Sequence, residues 1–310
     1  MTLRTRFALA VTIFLWSSAF PLIRVAKAGY NPYQLAFGRY GLASLLLIIV
    51  ACVVRIRLPR REHIPTLFLS GFFSVTVYNI ALNWGMERVK AGPGSFIVNT
   101  LPMFTAILST IFLKERILRA GWAGLLISCA GILLIAFGEA GGTALNAGTF
   151  SILLAALAWA ISIVQQKPML KHYTPLEIVC YSIWSGALCM VFVLPSLIRA
   201  VPAAPTTATA ALVYLGVFPA VVAYIMWNMV LAVTSAARAA SFLYLVPVLS
   251  TVIAYFLLHE TPSLLSLVGG TLALGGVIVI NTFGRAKPTP PTPFARGTDP
   301  ESTSVLHAHE

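Results

Sequence analysis

The sequence predicts an all-α membrane protein of ten transmembrane helices, arranged as two inverted five-helix repeats around a central cavity. Three observations carry this reading: the composition, the number of apolar runs, and an internal repeat with an odd number of runs per copy. Of 310 residues, 58% are hydrophobic and only 10% charged, and the mean hydropathy is +0.88. Ordinary soluble domains carry about 25% charged residues. A chain this apolar belongs in a bilayer.

At a rise of roughly 1.5 Å per residue, crossing a hydrocarbon core of about 30 Å takes around 20 apolar residues. The sequence supplies ten such runs, at 7–26, 33–54, 66–86, 92–113, 120–138, 149–166, 177–197, 208–231, 237–258 and 264–282. Stop signals bound them: Arg55, Arg57, Arg60 and Arg61 after the second, Lys114, Arg116 and Arg119 after the fourth, Pro195 and Pro202 around the end of the seventh. Arg4 and Arg6 ahead of an apolar run ending in Ser17, Ser18 and Ala19 resemble a cleavable leader. The internal repeat uses this segment, however, so it reads as the first span.

The net charge of +12 is not a nucleic-acid signature, because the basic residues sit in short connections between apolar runs. With the N-terminus inside, fifteen Lys and Arg fall on the cytoplasmic side, and only Arg24, Lys27, Arg88, Lys90 and Arg199 fall outside. That imbalance predicts an inner-membrane protein with both termini cytoplasmic. Residues 285–310 are polar and proline-rich and read as a disordered cytoplasmic tail. The four cysteines lie in apolar runs without paired spacing, which supports neither a disulfide framework nor a thiolate metal site.

Shifted by 145 positions, Gly71 meets Gly216, Asn83 meets Asn228, Pro102 meets Pro247, Glu115 meets Glu260, Gly124 meets Gly269 and Gly131 meets Gly276. A shift of 143 covers the front, pairing Trp16 with Trp159, Tyr30 with Tyr173 and Pro32 with Pro175. Residues 1–138 and 149–284 therefore read as two copies of a five-span unit. An odd number of crossings sends the second copy into the membrane from the opposite face, the inverted arrangement of many secondary transporters.

The stretches FLWSSAFPLIRVA (14–26), LPMFTAILSTIFLKERI (101–117) and GWAGLLISCAGILLI (121–135) resemble the drug/metabolite transporter superfamily, specifically its EamA-type ten-span exporters. Their echoes VPVLSTVIAYFLLHE (246–260) and VGGTLALGGVIVI (268–280) extend the likeness over nearly the whole chain outside the tail. Within that family the chain looks most like the YddG-type aromatic amino acid exporters. The resemblance implies a central cavity built mainly by the first, third, fourth, sixth, eighth and ninth spans.

Polar groups in hydrocarbon cost several kcal/mol when unsatisfied, so they mark the bundle interior or a wet cavity. Tyr78, Asn79 and Asn83 lie on the third span, Tyr224 and Asn228 on the eighth, Ser95 and Asn99 on the fourth, Ser241 and Tyr244 on the ninth. Trp16 and the pair Trp159 and Ser162 come from the first and sixth. Matched spans present matched groups, the pattern of a substrate site, although each residue taken singly also serves as interhelical glue worth about 1 kcal/mol or less. Pro102 and Pro247 free the carbonyls of Val98 and Leu243 and read as kinks or hinges. Gly124, Gly131, Gly269 and Gly276 permit close helix approach, and Glu115 and Glu260 pin the connections that follow them. Arg39, about two turns into the second span, is expected to snorkel to the outer interface. Either it or Arg24 could otherwise attract a carboxylate.

All nine acidic residues and all five histidines fall at span ends, in connections or in the tail. A proton-coupled carrier or a cation exporter typically buries a carboxylate in its pathway. The expected cargo is therefore a small neutral or zwitterionic solute, aromatic amino acids foremost, exported by alternating access without obligatory ion coupling. The alternative cargo is another small metabolite such as a nucleoside, sugar or hydrophobic amine. A membrane-embedded enzyme would need an activated nucleophile or a metal cluster, for which the sequence offers no grouping. The expected partners are the bilayer and that solute, with no nucleic acid and no cofactor, and the chain reads as a monomer.

Overall fold

The computed structural model describes residues 2–113, 118–139, 147–234, 239 and 242–283, and among them every regular element is helical. The tail, Glu115 and Ser241 lie outside the described residues, as does the side chain of Tyr244. The elements in order are α1 (Leu3–Ala26), α2 (Pro32–Val54), α3 (Ile64–Gly71), α4 (Tyr78–Gly85), α5 (Ala91–Val98), α6 (Leu101–Phe112) and α7 (Arg119–Glu139). They continue with α8 (Ala147–Met169), α9 (Pro175–Cys189), α10 (Leu194–Ala200), α11 (Thr206–Val217), α12 (Ala223–Val233), α13 (Leu245–Leu258) and α14 (Leu264–Phe283).

Six described helical stretches are long and apolar enough to cross a bilayer: α1, α2, 61–85, 91–112, α8 and 206–233. The pair Pro175–Cys189 and Val191–Ala203, bent by 53°, makes up to seven. Shorter apolar helices stand where the fifth, ninth and tenth spans are expected. The outer belt is greasy, with Leu45, Ile49, Phe112, Phe192 and Phe256 exposed. That surface suits lipid rather than water.

Local chemistry explains where helices begin. Asn31 and Thr174 each form a capping box with the residue three positions on, Gln34 and Glu177, and each is followed by a proline at the first helical position. These two starts are 143 residues apart, so the repeat preserves a folding signal as well as an apolar pattern. Two π-helical turns also recur at equivalent positions, Phe72–Val77 and Phe218–Val222. A π turn shifts the backbone ladder and frees carbonyls. The freed groups are used across the repeats: Ser74 O accepts from Tyr224 Oη at 3.3 Å, and Pro219 O accepts from Trp16 Nε1 at 3.1 Å.

Helices α7 and α14 pack through their glycines. A Cβ on Gly276 would lie 2.5 Å from Gly124 O, one on Gly269 would lie 2.5 Å from Gly131 O, and one on Gly131 would overlap Ala273 N. Between these contacts Ser128 Oγ donates to Ala273 O at 2.9 Å. As numbers rise from 124 through 128 to 131 on α7, their partners fall from 276 through 273 to 269 on α14. The two helices therefore run antiparallel, in the close backbone contact expected of small-residue seams.

The connections are tied by cations. Arg24 Nη1 donates to Met86 O at 3.3 Å and Val89 O at 3.5 Å, and Lys167 Nζ donates to Leu231 O at 2.8 Å and Thr234 O at 2.6 Å. The second set repeats the first at the shifts of 143 and 145. Arg24 Nη2 also pairs with Glu260 Oε1 at 2.9 Å, while Glu260 Oε2 accepts from Ala91 N, the first amide of α5. Glu260 thus pins a connection, as its position at a span end suggested. Nearby, burial pushes the Lys27 ammonium below its ordinary pKa, and Arg24 lowers it further.

Candidate functional site

A cavity of about 550 Å³, open solvent at its mouth included, lies between the halves. Both repeats build it with equivalent residues: Trp16 and Trp159 from α1 and α8, Val98 and Leu243 four positions ahead of the two prolines, and Leu101 and Val246 immediately ahead of them. Each proline sits in the first turn of a new helix after a break in the ladder. Asn99 and Thr100 form a turn between α5 and α6 ahead of Pro102, and a 3₁₀ turn at Phe242–Tyr244 precedes Pro247. The prolines therefore start helices rather than kink them, since a first-turn N–H has no intrahelical partner to lose, and Val98 and Leu243 line the cavity at the two breaks.

Aromatic rings form the cavity's floor. Trp16 meets Trp159 edge-on with ring centres 4.9 Å apart, Tyr224 at 5.6 Å and Trp227 at 5.4 Å. Tyr78 lies 5.2 Å from Trp159, and Tyr40 lies 6.2 Å from Tyr224. Contacts of this kind add about 0.5–1.5 kcal/mol each beyond the area they bury. A hydrogen-bonded relay fixes the rings, since Tyr40 Oη donates to Tyr224 Oη at 3.3 Å and Tyr224 Oη donates on to Ser74 O.

Arg39 and Tyr40 complete the wall, and neither was expected there. The snorkelling predicted for Arg39 does not occur: the side chain is 4% exposed, and Nη1 donates to Asn79 Oδ1 at 3.3 Å. The reason is that α2 is covered by its neighbours along this face, which leaves no path to an interface. Asn79 is itself held by donating Nδ2 to Val75 O at 2.9 Å, a carbonyl of the π turn. Arg39 Nε has no hydrogen-bond partner, and Arg39 makes no ion pair among the described residues. Among the described residues, no acidic side chain lines the cavity.

Of the residues singled out from sequence, the cavity brings together Trp16, Tyr78, Asn99, Trp159 and Tyr224. Asn99 donates Nδ2 to Ser95 O at 2.9 Å, and its Oδ1 is buried without a partner. The remaining described candidates are buried but do not line it. Asn79 supports Arg39. Asn83 donates to Pro32 O at 3.2 Å, Ser95 donates to Gly92 O at 2.5 Å, and Asn228 donates to Tyr224 O at 3.0 Å. Ser162 belongs to a separate cluster, 2.9 Å from Ser70 Oγ and accepting from Gln166 Nε2 at 3.0 Å.

The EamA-like transporter family model matches the chain twice, over residues 4–137 and 146–282. The chain is 37% identical over 283 residues to the probable terminal-alkyne amino-acid exporter of Streptantibioticus cattleyicolor, an alignment spanning 90% of this chain and 95% of that one. It is 40% identical over 268 residues to the uncharacterized transporter YdfC of Bacillus subtilis, spanning 86% and 88%. A solved crystal structure superimposes with a TM-score of 0.65 at 18% identity, covering 90% of this chain and 98% of the other, and that likeness concerns the fold alone.

Proposed function

Starting from the fact that the chain belongs to the EamA-like transporter family, we propose that this membrane transporter exports aromatic or other neutral amino acids across the inner membrane by alternating access. It works as a facilitator without obligatory ion coupling. The observation that carries this reading is the cavity itself, lined by Trp16, Trp159 and Tyr224 and, among the described residues, by no acidic side chain. Aromatic walls suit an apolar or aromatic side chain. The absence of a carboxylate on the cavity removes the simplest proton carrier and disfavours cationic cargo. An amino-acid cargo is in keeping with the name of the Streptantibioticus relative.

Alternating access rests on two inverted repeats. The family model's two matches support two copies, and the antiparallel run of α7 against α14 is what inversion requires of equivalent helices. In this reading the cavity opens toward the side that holds the 27–31 and 86–90 connections, the outer side by the distribution of charge. A related motion about the 99–100 break and its partner ahead of Pro247 would close it and open the other half.

Counterflow tests the proposal. Purified protein in liposomes loaded with unlabelled tryptophan is expected to accumulate labelled tryptophan transiently. A folded sample that exchanges neither tryptophan nor phenylalanine, yet exchanges a nucleoside or a sugar, overturns the substrate class while keeping the carrier.

A further inference from the structure

Two side chains of the cavity wall each carry one buried polar atom without a partner, and the two atoms are of opposite kind. Arg39 Nε is a charged donor, buried with its guanidinium anchored at Nη1 by Asn79. Asn99 Oδ1 is a neutral acceptor, buried with its own amide nitrogen already donating to Ser95 O. Both side chains line the same cavity as the aromatic floor. A buried polar atom left unpaired costs about 1–3 kcal/mol, more when charged, so neither arrangement is favoured by folding alone.

Resting on the reading of the cavity as an amino-acid site, we propose that Arg39 and Asn99 together form the receptor for the zwitterionic head of an α-amino acid. Arg39 donates to the carboxylate, and Asn99 Oδ1 accepts from the ammonium. The apolar side chain lies against Trp16, Trp159 and Tyr224. A guanidinium is suited to the first task because its planar donors match a carboxylate and it stays charged when buried. It also repels amines that lack a carboxylate. An amide oxygen suits the second because it attracts an ammonium without placing a titratable group on the pathway.

The three parts divide the work. The head group is read by hydrogen bonds, where leaving a buried partner unpaired penalises the wrong ligand heavily. The side chain is read only by shape and contact, which discriminates weakly. The site therefore demands an intact α-amino acid while tolerating a range of apolar side chains. Asn79 is a positioning residue here: it touches Arg39 rather than substrate, and the π turn at 72–77 holds it in place.

Calorimetric binding of three probes to the purified full chain tests this. L-tryptophan carries both groups, L-tryptophanamide lacks the carboxylate, and indole-3-propionate lacks the amine. Wild type is expected to prefer tryptophan to either analogue by about tenfold or more, the scale of one charge-assisted hydrogen bond. Arg39→Gln should bring the tryptophan to tryptophanamide ratio close to one and leave the tryptophan to indole-3-propionate ratio largely intact. Asn99→Leu should do the converse. A merely structural role for either residue would weaken all three probes alike and leave the ratios unchanged, and that result overturns the assignment. If Arg39→Gln does not fold, Arg39→Lys decides in its stead: the carboxylate preference should shrink but persist. Tight binding of all three probes by wild type without discrimination sinks the head-group receptor while leaving amino-acid transport standing. A folded wild type that binds none of the three sinks the amino-acid reading itself.

Discussion

Positions 39 and 182 stand 143 residues apart at equivalent points in the two halves, and the backbone treats them alike. Gly216 packs on the first, where an added Cβ would lie 2.9 Å from Arg39 O, and Gly71 packs on the second, where one would overlap Ser182 O. The side chains diverge. Ser182 belongs to a closed knot in which Gln166 Nε2 donates to Ser70 Oγ at 2.9 Å, Ser162 Oγ at 3.0 Å and Ser182 Oγ at 3.4 Å. Arg39 borders a cavity with one donor anchored and Nε unpaired. A duplicated scaffold thus carries a saturated network in one half and an unsaturated cation in the other. The lesson is that repetition fixes how closely helices approach, whereas a few unequal side chains decide which half presents a cation to the shared cavity.

Exchanging the two characters is the harshest way to break the comparison. Ser182→Arg buries a cation in a knot that offers it no counter-charge, and an uncompensated buried charge costs about 3–5 kcal/mol. Folded yield by size-exclusion chromatography should collapse. Arg39→Ser makes the first half resemble the second; the protein should remain folded while tryptophan counterflow falls by about 10- to 100-fold, the weight of a lost charged hydrogen bond. Glu260→Gln removes the ion pair to Arg24 at the cavity's end of the bundle. Because both partners are partly exposed, the expected loss is at most about 1 kcal/mol, read as a small fall in thermal stability that high salt diminishes further in wild type. Asn228→Ala should matter least. Its amide bonds only within its own helix, so a change of about 0.6 kcal/mol or less is expected, with flux within about twofold of wild type.

Much of the scaffold was legible in the chain, since hydrophobic runs, capping prolines and glycine spacing are local signals. The helices fall where the runs lie, and Gly131, Gly269 and Gly276 make the close contacts their spacing suggested. The site was legible in part. Spacing puts Asn79 and Asn83 on one face of a helix, but periodicity cannot say which face meets a cavity. The π turn just before them rotates α4, so that Tyr78 and Leu82 line the cavity while the two asparagines turn toward α2. Depth along one helix points Arg39 to an interface, yet depth says nothing of the neighbours that cover it. The signal in the sequence for its burial is its isolation, a single cation in an apolar span without an acidic partner.

The account depends most on two halves threaded through the bilayer in opposite senses around one cavity. The direct measurement is labelling of single cysteines, Lys90→Cys and Ser235→Cys, in a background without native cysteines, using a membrane-impermeant thiol reagent on intact cells. The account predicts that position 90 reacts from outside and that position 235, its counterpart at the shift of 145, reacts only after the membrane is opened. Equal reaction of both positions in intact cells would contradict it.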